Sequence, residues 1–183
     1  MPLMLIQSPL LDAARSLEAT LRARHPGYGR LDGFDGYGSG PDRYVCTTFC
    51  MAVLEAAGYP LDEATRARID IRDFRPPLED AVARGDDEIT GVAWALESAG
   101  LGARITPAAI AAGDFMQYWY RSADGRLLGH VGLVAERLPD GVRLYGAHKS
   151  TRGVAIHPDV IRLDNKVALY AVRPHPPPLT SPS

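Results

Sequence analysis

The hydrophobic period of this chain changes once, near residue 115, and that change limits the folds open to it. Upstream, apolar residues recur at helical spacing. Leu10, Leu11, Ala14, Leu17 and Leu21 follow Ser8-Pro9, a capping residue with proline at the first helical position, and Pro26-Gly27 ends the run. Residues 46–57 form a compact apolar helix closed by Gly58, with Phe49, Cys50, Val53 and Leu54 as its buried stripe. Thr90 is placed to cap a further helix through Val92, Ala93, Leu96 and Ala99, stopped by Gly100. Downstream, the period is two. Residues 115–121 and 127–138 flank a turn at 122–125, strand 142–147 follows Pro139-Asp140-Gly141, and residues 167–172 are a last strand. Helices first and an antiparallel sheet after predict an α+β domain. The polar, arginine-rich stretch 60–88, broken by Pro76-Pro77, reads as short helices and loop at its rim.

Length and charge narrow the function classes. The 183 residues suffice for one domain with a real core. Three parts are expected: a helical extension over 1–26, the domain over 27–173, and a proline-rich disordered tail over 174–183. Net charge is −2 and the arginines alternate with Asp and Glu, as on a solvated face, which argues against a nucleic-acid partner. The apolar N-terminus, residues 1–7, lacks a basic region and a cleavage site. It predicts neither a signal peptide nor a membrane span, and so a cytoplasmic protein or one exported by a leaderless route.

Two cysteines, Cys46 and Cys50, lie four residues apart. A helical pair at that spacing rarely meets disulfide geometry, so one active thiol and one buried thiol are expected. Cys46 sits where a glycine-rich loop becomes an apolar helix. Helix N-terminal N–H groups and the macrodipole favour a thiolate there, and the same donors can hold an oxyanion. The plainer alternative is a core cysteine, the ordinary fate of this residue type. Cys50, mid-stripe, is assigned to the core.

His130 opens a strand directly after a turn, and period two puts His130, Gly132 and Val134 on one face. Gly132 is expected to leave room for a helix end. A three-residue loop at Pro139-Asp140-Gly141 pairs Leu138 with Val142 and sets His148 opposite Gly132, on His130's face as its diagonal neighbour at roughly 7–8 Å. A two-residue turn at Asp140-Gly141 instead flips His148 to the other face. His25, His157 and His175 sit at a helix end, before a loop proline and in the tail, and none is a candidate.

These blocks resemble the NlpC-type cell-wall cysteine peptidases and the related CHAP amidases over about residues 37–172. The family pattern is a catalytic Cys at a helix start with a glycine twelve residues on, here Cys46-Thr47-Thr48-Phe49 through Val53 to Gly58. Then come Gly-Asp and a strand, here Gly113-Asp114-Phe115, and a His-Val-Gly block, here Gly129-His130-Val131-Gly132-Leu133-Val134. A third polar residue ends the next strand, where Ala147-His148 stands. The chain departs from the family's Asp-Cys-Ser-Gly, having Val45-Cys46-Thr47-Thr48. The resemblance implies a small papain-like fold whose cysteine helix packs on a sheet carrying both histidines. It implies catalytic Cys46, His130 and His148, no metal and no cofactor. Tyr37, Tyr44 and Thr47 are the candidates for lining the substrate and oxyanion site. The implied substrate is a peptide or a peptidoglycan fragment, with no membrane partner.

Three rival readings remain at this level. Cys46, Cys50, His130 and His148 are a nominal zinc set, although their spacing is unlike compact zinc motifs. A catalytically dead member would bind peptide or glycan fragments. The same Cys–His pair would also serve acyl transfer or deamidation.

Overall fold

The computed structural model describes residues 8–71 and 77–177. Among them are five α-helices and one six-stranded antiparallel sheet, so the chain is α+β. The helices are α1 (Pro9–Arg24), α2 (Cys46–Ala56), α3 (Glu63–Ile69), α4 (Leu78–Arg84) and α5 (Val92–Ser98). The strands are β1 (Gly102–Ile105), β2 (Phe115–Arg121), β3 (Leu127–Leu138), β4 (Gly141–His148), β5 (Gly153–Ile156) and β6 (Ala168–Pro174), in the spatial order β1-β6-β2-β3-β4-β5. Strands β1 and β5, four residues each, are too short to show a period and were not expected from the sequence.

Helix α2 is the centre of the core. Phe49, Cys50, Val53 and Leu54 are fully buried, as their spacing predicts, against Phe115, Val131, Leu133, Tyr145 and Ala147 on one face of the sheet. Helix α1, expected as an extension, joins that core through Leu10, Leu11, Ala14 and Leu21. Its Glu18 also accepts a hydrogen bond from the Tyr145 hydroxyl. The other face of the sheet carries a second cluster of Met116, Tyr118, Val134, Leu144 and Ala171, covered by Ile110, Ile161 and Leu163.

Three local expectations are corrected. Thr90 lies in a 3₁₀ turn and its hydroxyl donates to Asp87 O, so Gly91, with a φ of 50°, starts α5 instead. The first residues of the segment expected to be disordered from residue 174 are ordered. Pro174 still belongs to β6, His175 N donates to Leu101 O at 2.8 Å, and the Tyr59 hydroxyl donates to His175 O at 2.5 Å. Residues 178–183 lie outside the described residues, as do residues 1–7. The β3–β4 hairpin turns on Pro139-Asp140 alone, pairing Leu138 with Gly141, and a bulge at Ala135 then shifts the register by one.

The loop between α1 and α2 is anchored to β5 by a phenol. Tyr28 is buried and its hydroxyl accepts from Val154 N at 2.9 Å. A Cβ at Gly36 would meet that ring at 2.3 Å, and one at Gly153 would meet its hydroxyl oxygen at 2.4 Å. The strand edge at β5 and the approach to Cys46 are thereby tied together.

Candidate active site

Cys46 is the first residue of α2 and is partly exposed. The helix start is closed by Thr48, whose hydroxyl accepts from Val45 N at 2.9 Å and donates to Val45 O at 3.1 Å. Val45 has no side-chain acceptor, so no cap side chain blocks the N–H groups of the first turn. Thr47 is buried, and its hydroxyl donates to Asp70 at 3.2 Å, pinning α2 to the end of α3. Thr47 therefore holds the helix start in place, and its hydroxyl is already engaged. Cys50 is fully buried among apolar side chains, and burial followed by the nearby Cys46 pushes its thiol well above the ordinary value.

Two clefts meet at Cys46, and His130 lines both. One, of about 270 Å³, adds Thr47, Ile71, Leu78, Gln117, Trp119 and Gly129. The other, of about 450 Å³, brings in Tyr37, Tyr118, Tyr120, His148, Lys149 and His157. Tyr37 is thus placed beside Cys46. Tyr44 lines neither cleft; it forms a bridge to Tyr37 and packs on the main core.

The histidines come together as expected, by a different route. Register is 139-to-140 at the turn rather than the three-residue loop, which alone would put His148 on the wrong face. The Ala135 bulge restores the parity: Val134 pairs with Leu144 and Leu133 with Tyr145, which carries His148 directly opposite His130. The ring centroids are 4.8 Å apart, closer than a diagonal pair. Gly132 does not make room for a helix. A Cβ there would meet Tyr145 O at 2.9 Å, so what crowds it is the β4 backbone. The room that matters lies at Gly146, where a Cβ would stand 3.1 Å from His148 Nε2 and 3.7 Å from His130 Nε2.

Both Nε2 atoms are buried and lack a hydrogen-bond partner among the described residues. Burial, with His148 and His157 beside it, pushes the His130 pKa down to about 3. Burial and then His157 push His148 down to about 4, against the carbonyls of Leu144 and Ala155, which favour its charged form. Both rings are neutral at neutral pH. Since His148 Nε2 has no partner, the nitrogen that faces those carbonyls is Nδ1.

His157, passed over in the sequence as a loop residue before proline, stands edge-on to His148 with centroids 4.8 Å apart. Its Nδ1 accepts from Asp159 N at 3.1 Å and its Nε2 lies 3.3 Å from Ser150 Oγ. Only strand β5, invisible to periodicity, brings it there. Tyr118 was missed too, although the hairpin at 122–125 pairs it with His130. The rings meet edge-on at 5.8 Å, and burial with the nearby Tyr120 and Cys46 raises the Tyr118 pKa. Burial, Cys46 and Tyr120 likewise raise that of Tyr37.

The nominal zinc set does not assemble. Cys50 is sealed in the core, and among the described residues no three His, Cys, Asp or Glu side chains are grouped to hold a metal ion. No helix among them is long and apolar enough to cross a membrane.

Compared with models of known protein families, with curated proteins and with solved structures, the chain matches none.

Proposed function

We propose that this chain is a cysteine hydrolase of amide bonds with a papain-like arrangement of the NlpC and CHAP kind. One observation carries the reading: a cysteine at a helix N-terminus shares both of its clefts with a neutral histidine, whose ring stands 4.8 Å from that of a second, buried histidine. With Nε2 of His130 buried and without a hydrogen-bond partner among the described residues, Nδ1 is the nitrogen left to take the Cys46 proton. The sulfur attacks the amide carbonyl, forming a C–S bond, and the oxyanion is met by first-turn N–H groups of α2 with Tyr37 beside them. His130 then protonates the leaving amine as the C–N bond breaks. Water, losing its proton to His130, releases the acyl group and restores the thiol. His148 acts as the orienter of the His130 ring. No step calls for a metal or cofactor, and peptides, including the stem peptides of peptidoglycan, are the substrate class.

The test needs no known substrate. Cys46 is alkylated with iodoacetamide in folded protein on a Cys50→Ala background, across a pH series, beside His130→Ala. Labelling should show an apparent thiol pKa below the free value of roughly 8.5, with the rate falling about tenfold or more without His130. A Cys46 that resists labelling while the fold is intact overturns the reading.

A further inference from the structure

His157 is tied down at its backbone and at both ring nitrogens. Its N donates to Leu144 O at 2.8 Å, continuing the β4–β5 ladder one residue past Ile156. Its Nδ1 accepts from Asp159 N at 3.1 Å, with Asp159 O farther off at 3.4 Å. A backbone N–H can only donate, so Nδ1 carries the lone pair there. The ring proton then sits on Nε2 and meets Ser150 Oγ at 3.3 Å. Ordering a half-buried side chain outside the strands costs rotamer entropy, which these two ring contacts offset. The ring so fixed stands edge-on to His148, with centroids 4.8 Å apart and planes at 77°. His148 is therefore bounded by two rings, since His130 stands at the same 4.8 Å with planes at 36°. The carbonyls of Leu144 and Ala155 face Nδ1 of His148, and the first of them is the carbonyl that His157 N holds. Which nitrogen of an imidazole keeps its proton is set by the hydrogen bond that the other makes. Through its ring His157 limits the rotation of His148, and through its N–H it aims the acceptor that selects the tautomer.

We propose that His157 is a positioning residue of the candidate active site, holding His148 in one orientation and one tautomer. Ser150 Oγ and Asp159 N fasten His157 in turn. His148 then keeps its proton on Nδ1 and presents an unprotonated Nε2, while its ring backs that of His130. The proposal rests on the hydrolase reading for the use made of His148, though not for the contact itself. The site is thereby carried from the core to the surface by one row of side chains. His148 is buried, His157 half-buried and Ser150 exposed.

The full chain, labelled with ¹⁵N, is compared with His157→Asn, His157→Phe and Ser150→Ala at neutral pH. Long-range ¹H–¹⁵N spectra of the histidine rings report the tautomer of His148, and Cys46 alkylation by iodoacetamide is timed on the same samples. The amide oxygen in His157→Asn can still accept from Asp159 N, so the turn is kept and the ring is lost. The native chain should show His148 with a protonated Nδ1 and an unprotonated Nε2. In His157→Asn those two nitrogen shifts should move toward one another, and Cys46 should label about threefold more slowly. His157→Phe returns a ring edge and should recover more than half of the lost rate. Ser150→Ala, at an exposed position that leaves the fold alone, should give the same changes at smaller size. Urea midpoints should stay level throughout. His148 nitrogens that do not move in His157→Asn, that move as far in His157→Phe, or that move only where the midpoint falls each overturn the proposal. An inert Cys46 in the native chain with the His148 changes present removes the hydrolase and leaves the positioning. A reactive Cys46 that is indifferent to His157, with His148 unmoved, does the reverse.

Discussion

His130 and His148 face one another at 4.8 Å because one residue, Ala135, stands outside the ladder between their strands. The two-residue turn at Pro139-Asp140 sets one parity and the bulge sets the other, so the turn and the histidines are read on opposite phases of the same hairpin.

Gly146 lies under the pair, and its substitution is the most direct test of that geometry. In Gly146→Ala the new methyl would start 3.1 Å from His148 Cε1 and Nε2, tighter than ordinary contact. The His148 ring must move. The expected cost is about 1–2 kcal/mol in urea unfolding, together with changed ring-proton shifts of His130 and His148. An unchanged spectrum would show that the rings do not occupy this space.

Stability should depend on pH through the same two rings. Their folded values, about 3 and about 4, lie below the unfolded value near 6.5. Between these limits the unfolded chain binds more protons, so stability rises with pH there. It is complete above about pH 6.5 and is lost as the pH falls toward the folded values. Each group contributes a slope of up to about 1.4 kcal/mol per pH unit. Urea midpoints from pH 7 to pH 4.5 should fall in the native chain and fall less in His130→Asn/His148→Asn. Parallel curves would refute the assignment.

Cys50 and Cys46 should part company under substitution. Cys50→Ser puts a hydroxyl into a fully apolar site and should cost about 1–3 kcal/mol. Cys46→Ser, at a half-exposed helix start, should cost under about 0.5 kcal/mol. Paired denaturation curves decide it, and equal losses would place both thiols in the core.

Thr48 closes the turn that presents the nucleophile. Thr48→Ala removes both hydrogen bonds to Val45 and should lower stability by about 1 kcal/mol. It should also slow Cys46 alkylation while leaving its dependence on His130. Unaltered stability and rate would show that the helix start is held without Thr48.

How much of this was legible in the residues differs by element. Helix α2 was readable because its apolar spacing and Gly58 agree, and strands β2 and β3 because seven and twelve residues are enough to show a period. The shared face of His130 and His148 was expected on a register the chain does not use, with two departures that offset each other. A bulge at an alanine leaves no mark in composition, which is why it could not be seen. His157 needed β5, and four residues carry no period. Thr48 reads in sequence as a departure from the Asp-Cys-Ser-Gly pattern; in the fold it is the residue that satisfies Val45 N.

The Tyr28 anchor has a consequence for how this protein can vary. A phenol occupies the volume in which side chains at residues 36 and 153 would begin, and its oxygen accepts from Val154 N of β5. Those three positions form a single locked unit although they are scattered along the chain. Replacing Tyr28 alone vacates space that both glycines were shaped around; replacing either glycine alone collides with the ring. Drift at this corner of the molecule must therefore proceed by concerted change, and a substitution harmless in one background will be lethal to the fold in another.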